Sequence, residues 1–449
     1  MSPRLAVVIL GYSFACSSAL IVLSPPAHHY YYYDSKRTVL YEFIRDFHRA
    51  AKEKAGEQVF AIADEKSSQD LFTRFGVSDT VYGVLDDIWM RDLFVTQLSD
   101  TRVVRFRYRP AYLDQPTVNY IDLSARKLVS LLWPHGEVQK LDDLVLDGGG
   151  IAWEPSTLRA VVTERVLRDN PWLVNRKSLS ADGKPPSPRG LAAPYAGAPL
   201  ISAADVNIAR SKLEAILSAA LVGAEASSGE VDGKDVTVAI IPEEAGAPRL
   251  GHVDGICNWL GPSTLALSEF SDPAIYDDYA ARIFEAFGSA VSIVQFPYLP
   301  SKATWKDGFE SADGIYVNFA RTKEAVYVPT FGHAAADAKE LELVAAHADR
   351  PPIAINASAV AIMGGSVRCL STFLWGAPAE QFVASAAPSP PPADDTSGPL
   401  TTTIAMISGA AGTLLILLLV VAYVVKARRK RKAGSAQAAK LEESKRAEA

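Results

Sequence analysis

Apolar residues recur along this chain with two different periods. The segment TVLYEFIRDFHRAAKEKA, residues 38–55, has apolar positions three and four apart, which predicts an amphipathic helix, whereas EQVFAIAD, residues 57–64, alternates like a strand. Short strand-like runs then alternate with helical segments such as 205–221 and 277–290, so the pattern predicts an α/β fold. The other strand-like runs are RVVRFRYR, LDDLVLDGGG, RAVVTERVL, DVTVAIIP, STLALSEF, AVSIVQFPYL, GIYVNFARTKEAVYVP and PPIAINASAVAIMGG.

The two ends of the chain differ from this α/β body. Residues 1–27 place one arginine ahead of an apolar run that stops at prolines and small residues, which is the pattern of a secretory signal peptide. Residues 402–425 are almost entirely apolar and long enough to span a membrane; a Pro-rich stalk at 387–401 precedes them and a basic tail at 426–449 follows. Because basic residues mark the cytoplasmic end of a span, we expect a single-pass type I membrane protein of the secretory pathway, with residues 30–386 as its extracellular or luminal domain.

Charge argues against one class of partner. The 449 residues include 45 Lys or Arg and 51 Asp or Glu, a formal net charge of −6, and nine of the basic residues lie in the C-terminal tail. The body is therefore more acidic than the whole chain. An acidic body argues against nucleic acid as a partner and mildly favours cationic ligands.

Four stretches place polar side chains within otherwise apolar sequence, each at a predicted strand-to-loop boundary. Loops carried on strands commonly display reactive groups, and flanking glycines let the backbone approach a ligand closely. Taken singly, each stretch also fits a structural role, such as a turn, an ion pair or a buried histidine. Together they indicate a site: DIWMRDLF with Asp92, LVLDGGGIAW with Asp147, LGHVDGICNWL with His252 and Asp254, and GGSVRCLST with Cys369.

A cysteine, a histidine and several carboxylates allow two classes of chemistry. In a Cys–His peptide hydrolase, the histidine ionises the thiol and one further residue orients the histidine. The three aspartates Asp92, Asp147 and Asp254 are more than such a hydrolase needs. Paired carboxylates suit a guanidinium, which donates parallel hydrogen bonds to them and brings a positive charge that favours a thiolate.

The same stretches, in the same order, resemble the Porphyromonas-type peptidylarginine deiminase and agmatine deiminase family of guanidine-modifying enzymes. The resemblance runs from about Tyr41 to Gly376 and covers nearly the whole body. It implies the pentein fold, a five-bladed α/β propeller of ββαβ units with the active site on the central axis. The stretches that carry it are Trp89-Met90-Arg91-Asp92, Asp147-Gly148-Gly149, Gly251-His252-Val253-Asp254, YVNFARTKEAVYVPTFG, and Gly364-Gly365 followed by Cys369.

The resemblance also implies a role for each matching residue. Cys369 would be the nucleophile, His252 the general acid and base, and Asp92 with Asp254 the pair that binds the guanidinium nitrogens. Asp147, where the agmatine enzymes usually have Glu, would orient His252. Trp89 and Asn318 match positions near the substrate, and no metal and no organic cofactor are implied.

These roles predict hydrolysis of a guanidinium to a ureido group with release of ammonia through a covalent Cys intermediate. We expect peptidyl arginine as the substrate. Agmatine deiminase is the alternative within the class, and a catalytically inactive ectodomain that binds cations is the alternative outside it.

Two features depart from or complicate this pattern. The family usually has His immediately before the cysteine, where this chain has Arg368, whose charge could lower the thiol pKa or form an ion pair. Removing the predicted signal peptide leaves only Cys257 and Cys369, and two cysteines in an oxidising compartment commonly form a disulfide, which would block the nucleophile. The alternative for Cys257 is a free thiol that fills apolar space.

A row of arginines bears on substrate choice. In VVRFRYRP, Arg105, Arg107 and Arg109 alternate with Val, Phe and Tyr, so in a strand they share one face. That face would be a solvated outer surface, or Arg105 and Arg107 would bind a substrate carboxylate, which arginine has and agmatine lacks.

Overall fold

In the computed structural model of this protein, strand pairing among the described residues forms five separate sheets. The structure describes residues 19–110, 113–134, 138–174, 201–222, 235–243 and 251–386. All of them belong to the first of two units, Met1–Ala387. The α/β class predicted from the alternating periods is confirmed.

Four of the sheets share one pattern of three strands, in which the first pair is antiparallel and the second pair parallel. A parallel pair needs a crossover, and in each sheet a long helix supplies it. The strands are β4 (Thr96–Gln97), β5 (Val103–Arg107) and β6 (Val138–Val145); β7 (Ile151–Glu154), β8 (Arg159–Thr163) and β9 (Thr237–Ile241); β10 (Cys257–Gly261), β11 (Thr264–Ser268) and β12 (Ser292–Phe296); β13 (Ala320–Arg321), β14 (Val326–Thr330) and β15 (Pro352–Asn356).

The fifth sheet joins distant parts of the chain. Its order is β16 (Ser371–Leu374), β1 (Leu20–Leu23), β2 (Gln58–Ala63) and β3 (Thr80–Tyr82). Here too β16 and β1 are antiparallel and β1 and β2 are parallel. The ββαβ unit therefore occurs five times, and we call these units modules.

Some of the helices begin at an aspartate that caps the N-terminus. Asp64 accepts a hydrogen bond from the Ser67 amide at 2.7 Å, and Asp114 accepts one from Thr117 at 2.9 Å, so two helices start with a capped N-terminus. The crossover helices of the five modules are α1, α4, α6, α7 and α8. The helices are α1 (Arg37–Ala50), α2 (Glu65–Phe75), α3 (Met90–Leu93), α4 (Gln115–Leu132), α5 (Arg165–Asp169), α6 (Ala203–Val222), α7 (Pro273–Phe287), α8 (Ala334–His347), α9 (Ser358–Ala361) and α10 (Ala377–Ala386).

Hydrogen bonds that involve residues in or beside the first strands link each module to the next in cyclic order. None of the five sheets formed by the described residues closes on itself, so the propeller implied by the resemblance stays a prediction. The linking donors and acceptors are Trp153 Nε1 to Leu98 O (3.0 Å), Trp259 Nε1 to Ala152 O (3.0 Å), Asn258 Nδ2 to Phe319 O (2.8 Å), Arg368 N to Asn318 O (3.0 Å) and Trp375 N to Gln97 Oε1 (2.8 Å).

The structure does not support a signal peptide that ends at residue 27. Leu20–Leu23 form β1, all four residues are buried, and the strand lies between β16 and β2. A fully buried strand is apolar on both faces, so its sequence resembles the apolar core of a signal peptide. Residues 20–23 therefore belong to the domain that was expected to begin at residue 30.

The predicted stalk, span and tail, residues 387–449, lie outside the described residues. Within the parts of the chain that the structure describes, no helix is both long and apolar enough to cross a membrane.

Candidate active site

The five modules each contribute polar side chains from the same place, the segment just before the first strand. Asp92 precedes β4 and Asp147 precedes β7; His252 and Asp254 precede β10. Asn318 and Cys369 lie two residues before β13 and β16, respectively. Equivalent positions in repeated modules meet at one point, so residues spread over most of the chain lie close together.

Cys369 is buried and its sulfur contacts two of the other site residues. Asn318 Nδ2 donates a hydrogen bond to Cys369 Sγ at 3.1 Å, and the thiol points at Asp254 Oδ2, 3.8 Å away. The Asn318 amide is itself fixed, because its Oδ1 accepts from Ser366 Oγ at 2.9 Å and from the Arg368 amide at 3.2 Å. The donor beside the sulfur is therefore held in place before any substrate binds.

His252 lies between two carboxylates. Its Nε2 is 3.1 Å from Asp147 Oδ2, and its Nδ1 is 4.0 Å from Asp92 Oδ1. Backbone amides fix both acids: Gly150 N donates to Asp147 Oδ1 at 2.7 Å, and Gly149 N donates to Asp92 Oδ1 at 3.0 Å. The histidine ring is thus oriented from both sides.

Two glycines allow these close approaches. A Cβ on Gly149 would lie 2.5 Å from His252 Nδ1 and 2.6 Å from Asp92 Oδ1. A Cβ on Gly365 would lie 2.5 Å from the Trp89 ring and 3.0 Å from Cys369 Sγ. Any larger residue at these positions would displace the reactive groups, which explains the glycines that flank them in sequence.

Electrostatics distinguish the carboxylates. Burial would lower the pKa of His252, but Asp147 and Asp92 outweigh it and raise that pKa to about 10, so the imidazolium is the stable form at neutral pH. The pKa of Asp147 is lowered, because His252 outweighs the effect of burial. Burial raises the pKa of Asp92 well above its ordinary value despite the opposing effect of His252. Asp147 therefore carries the charge that pairs with His252.

The thiol is neutral in this environment. Burial raises the pKa of Cys369 well above its ordinary value, and Asp254 and Asp92 raise it further. Burial also raises the pKa of Asp254. A cation placed between these groups would favour ionisation of all three, so the site is arranged to become charged when a cationic ligand enters.

Part of the chain matches a known family. Residues 240–373 match the family model described as Porphyromonas-type peptidyl-arginine deiminase. The chain resembles that family. The matched segment contains His252, Asp254, Asn318 and Cys369, and the resemblance predicted from the motifs is confirmed.

Solved structures extend the comparison over the rest of the domain. An agmatine deiminase of C. jejuni is 14% identical with a TM-score of 0.56, over 80% of this chain and 94% of that chain. An agmatine deiminase of Enterococcus faecalis is 17% identical with a TM-score of 0.55, also over 80% and 94%. A putative arginine deiminase of Porphyromonas gingivalis is 17% identical with a TM-score of 0.51, over 80% and 96%. At these identities the structures show a shared pentein-type α/β fold.

No curated protein matches the chain in sequence.

Two residues, Asp147 and Arg368, differ from those usual in the deiminase family, and the structure shows what each contacts. Asp147, in place of the usual Glu, still reaches His252 Nε2 at 3.1 Å. Arg368, in place of the usual His, is buried; its Nη2 donates to Ile151 O at 3.1 Å and its Nε is 3.6 Å from Asp254 Oδ2. Arg368 therefore forms an ion pair with a carboxylate of the site.

Sequence reasoning missed two residues of the site. Ser366 orients Asn318, and its position within GGSVRCLST was the available signal. Arg91 is 8% exposed, its amide donates to Cys369 O at 3.1 Å, and burial lowers the pKa of its guanidinium to about 9. The position of Arg91 next to Asp92 in the sequence could have indicated that it belongs to the site.

The arginine row does not form the substrate clamp that was one of its two interpretations. Arg105 is 2% exposed and its guanidinium pairs with Asp122, so it is not available to a substrate. Arg107 lines a separate cavity with Asp122, Arg126 and Asp142. Asp122, the partner of Arg105, belongs to α4, a tertiary contact that alternation alone could not reveal. Only Arg109, which is exposed, lines a narrow cavity shared with Asp147 and His252.

Cys257 and Cys369 are both free thiols in the structure. Cys257 is the first residue of β10 and packs in an apolar cluster with Val253, Ile256 and Leu267. This position corresponds to the apolar filler that the sequence left open as the alternative to a disulfide.

One group of ligand atoms could hold a metal ion. Asp92, Asp147 and His252 offer ligand atoms that all lie within 4.8 Å of one another. A bound divalent cation would compete with the proton on His252, so metal and acid–base catalysis are alternative uses of the same three side chains.

Proposed function

We propose that the protein hydrolyses a guanidinium group to a ureido group and releases ammonia. The arrangement that supports this most is the contact of the Cys369 thiol with Asp254 and Asn318, beside a His252 that is held between Asp147 and Asp92. A nucleophile, a proton donor and two carboxylates that could bind a cation therefore lie close together. The family match and the shared fold agree with this class of enzyme.

The carboxylates explain why the substrate should be a guanidinium. Asp92 and Asp254 have raised pKa values because they are buried, and a planar cation with several N–H donors would offset that cost through paired hydrogen bonds. The same positive charge lowers the pKa of Cys369, since an opposite charge favours the thiolate. Substrate binding therefore generates the nucleophile.

The reaction proceeds in two halves. The Cys369 sulfur forms a bond to the guanidinium carbon, and the imidazolium of His252 donates its proton to the departing nitrogen as the C–N bond breaks, which releases ammonia. Neutral His252 then takes a proton from water as the oxygen attacks the same carbon. The C–S bond breaks and the thiolate is regenerated. The oxygen that came from water gives its second proton to solvent, where it protonates the released ammonia, and the neutral ureido product leaves.

Peptidyl arginine, with the arginine at the C-terminus, is the substrate that we propose. Arg109 is exposed and lines the narrow cavity that contains Asp147 and His252, so the free carboxylate of a C-terminal arginine would meet a favourable charge there. Agmatine carries an ammonium instead, which Arg109 would repel. Agmatine remains the second candidate because the structures of two agmatine deiminases share the fold.

One assay separates these possibilities. Release of ammonia and of the ureido product is measured on C-terminal arginine peptides, the same peptides with an amidated C-terminus, free arginine and agmatine. We expect Arg109→Ala to raise KM for the free-carboxylate peptides and to leave the amidated ones nearly unchanged. Preferential turnover of agmatine would reject peptidyl arginine, and no turnover of any guanidinium would favour the inactive, cation-binding ectodomain.

Two further predictions belong to this proposal. The cyclic order of hydrogen bonds between modules supports the five-bladed pentein propeller. A secretory, membrane-anchored location stays a prediction from the C-terminal sequence.

A further inference from the structure

A second, larger cavity lies at the other end of the same five strands. It has a volume of about 640 Å³, within the range of small-molecule sites. Most of the residues that line this cavity lie within or after the first strands of the modules, and Arg91 and Arg368, which precede β4 and β16, also line it. Its lining includes Gln97, Glu154, Trp259, Arg321 and Trp375, one from each module.

The carboxylates that line this cavity already have cationic partners. Glu154 Oε2 is 2.6 Å from Arg321 Nη1, and Asp349 Oδ2 is 3.1 Å from Arg321 Nη2 and 3.3 Å from Arg350 Nη1. Asp100 Oδ1 is 3.9 Å from Lys323 Nζ. The negative charge of the wall is therefore matched within the wall.

Two further guanidiniums line the same cavity without a carboxylate partner in its wall. Arg91 and Arg368 are each 8% exposed, and the Nε atom of each is buried without a hydrogen-bond partner. Arg91 lies over the ring of Phe373 at 5.1 Å. The Nε of Arg368 is 3.6 Å from Asp254 Oδ2, beyond hydrogen-bond distance, and its Nη2 donates to Ile151 O at 3.1 Å. Buried cationic donors without hydrogen-bond partners are costly, and an anion in the cavity would remove that cost.

We infer that this cavity binds a small organic anion, a carboxylate or phosphate carried on an apolar or aromatic body. The charged group would pair with Arg91 and Arg368, and the body would lie among the rings that line the cavity. Those rings are Trp153, Trp259, Phe373 and Trp375. The rings suit a flat apolar group and the guanidiniums suit an oxyanion.

Such a ligand would act on the active site through Arg368. This step rests on the proposed deiminase function. An anion that pairs with Arg368 competes with Asp254 for the same guanidinium, and so releases the carboxylate to bind a substrate guanidinium. The expected result is a lower KM for the guanidinium substrate in the presence of the anion.

The primary test is binding, which does not depend on activity. Thr101 is exposed and lines the cavity, so Thr101→Glu adds a negative charge there, while Thr101→Gln is its neutral match in size. Titration calorimetry and thermal unfolding would be measured with benzoate, with inorganic phosphate as an anion without a ring, and with benzyl alcohol as a ring without charge. We expect saturable binding of benzoate, with a Kd on the order of tenfold higher in Thr101→Glu than in Thr101→Gln.

The outcomes are separable from those of the function assay. Binding of either anion that is weakened by Thr101→Glu supports the anion site even if no guanidinium substrate is turned over; tighter binding of benzoate than of phosphate supports the aromatic wall. Absence of saturable binding by both anions, or equal affinity in the two variants, overturns the inference. Binding of benzyl alcohol as tight as that of benzoate also overturns it, since charge would then play no part.

Discussion

The regions around Cys257 and Cys369 present the same chemical group in different surroundings. Both thiols are buried and free; Cys257 is the first residue of β10, and Cys369 lies two residues before β16. Cys257 packs among apolar side chains, whereas Cys369 contacts the Asn318 amide and Asp254. Burial raises the pKa of both thiols.

The difference shows that burial alone does not decide whether a cysteine can react. Burial is the largest effect on the pKa of both thiols, but the apolar packing of Cys257 leaves no place for a ligand. Around Cys369 the raised pKa depends in part on Asp254 and Asp92, whose charge a cationic substrate can neutralise. Reactivity at Cys369 is therefore conditional on the substrate, and the following changes test that contrast.

Loss of Cys369 should affect turnover, whereas loss of Cys257 should mainly affect stability. We expect Cys369→Ala to lower turnover by at least a thousandfold, because no neighbour can replace the nucleophile. Cys257→Ala should keep turnover within a few fold and cost about 1 kcal/mol of the free energy of unfolding, since it removes buried volume. Ammonia release and thermal unfolding measure the two effects, and comparable losses of activity in both variants would contradict the assignment.

Removal of one cation-binding carboxylate should separate thiol reactivity from catalysis. Asp254→Asn is expected to lower kcat/KM roughly a hundredfold or more, as loss of one member of a buried charge pair does. Because Asp254 raises the pKa of Cys369, the variant should also react faster with iodoacetamide at Cys369 while Cys257 stays unmodified.

The control for that change is Asp143→Asn, which alters an exposed carboxylate on β6. It should leave both kcat/KM and the alkylation rate as they are. If Asp254→Asn slows alkylation, then Asp254 does not oppose the thiolate.

The pH profile should report the charge beside His252. The required imidazolium is fully present below its pKa of about 10 and is lost as pH rises through that value, so activity should fall on the alkaline side. Asp147→Asn removes a carboxylate that raises this pKa, and should move the alkaline limb down by roughly one to three pH units. Asp147→Glu keeps the charge and supplies the usual family residue, so the alkaline limb of its pH profile should stay in place. Equal shifts of the limb in both variants would reject an electrostatic role for Asp147.

The smallest expected effect is that of oxidation. Because both thiols are free, purified protein should show the same turnover, within about twofold, with and without a reductant. Intact-mass measurement after thiol labelling should count both Cys257 and Cys369 as reactive when unfolded. A Cys257–Cys369 link together with activity that appears only after reduction would instead establish a redox switch.

The sequence predicted those parts of the fold that depend on local periodicity. The runs at 38–55 and 57–64 became α1 and β2, since apolar spacing decides which face is buried. Leu20–Leu23 were misassigned, because a strand buried on both faces has no alternation to distinguish it from a signal sequence. The strand predicted around Asn318 begins only at Ala320, and the preceding segment is irregular where it enters the site.

The candidate site was predicted from short sequence motifs and not from the periodicity of apolar residues. Six side chains from five modules meet there, and no local property of the sequence specifies those long-range contacts. The alternation of Arg105 and Arg107 correctly suggested a strand but could not show that Asp122 of α4 would pair with Arg105. Arg91 and Ser366 were missed for the same reason, since their roles depend on neighbours that are distant in sequence.

The pairing of β1 with β16 constrains how the domain can form. Leu20 faces Leu374 in that pair, so one of the earliest described segments completes its sheet with one of the last. During synthesis β1 can pair with β2 soon after both emerge, but its other edge stays open until nearly the whole domain has been made. Contacts between such distant segments close slowly, so we expect completion of this sheet, and with it the placement of Cys369, to be a late step in folding.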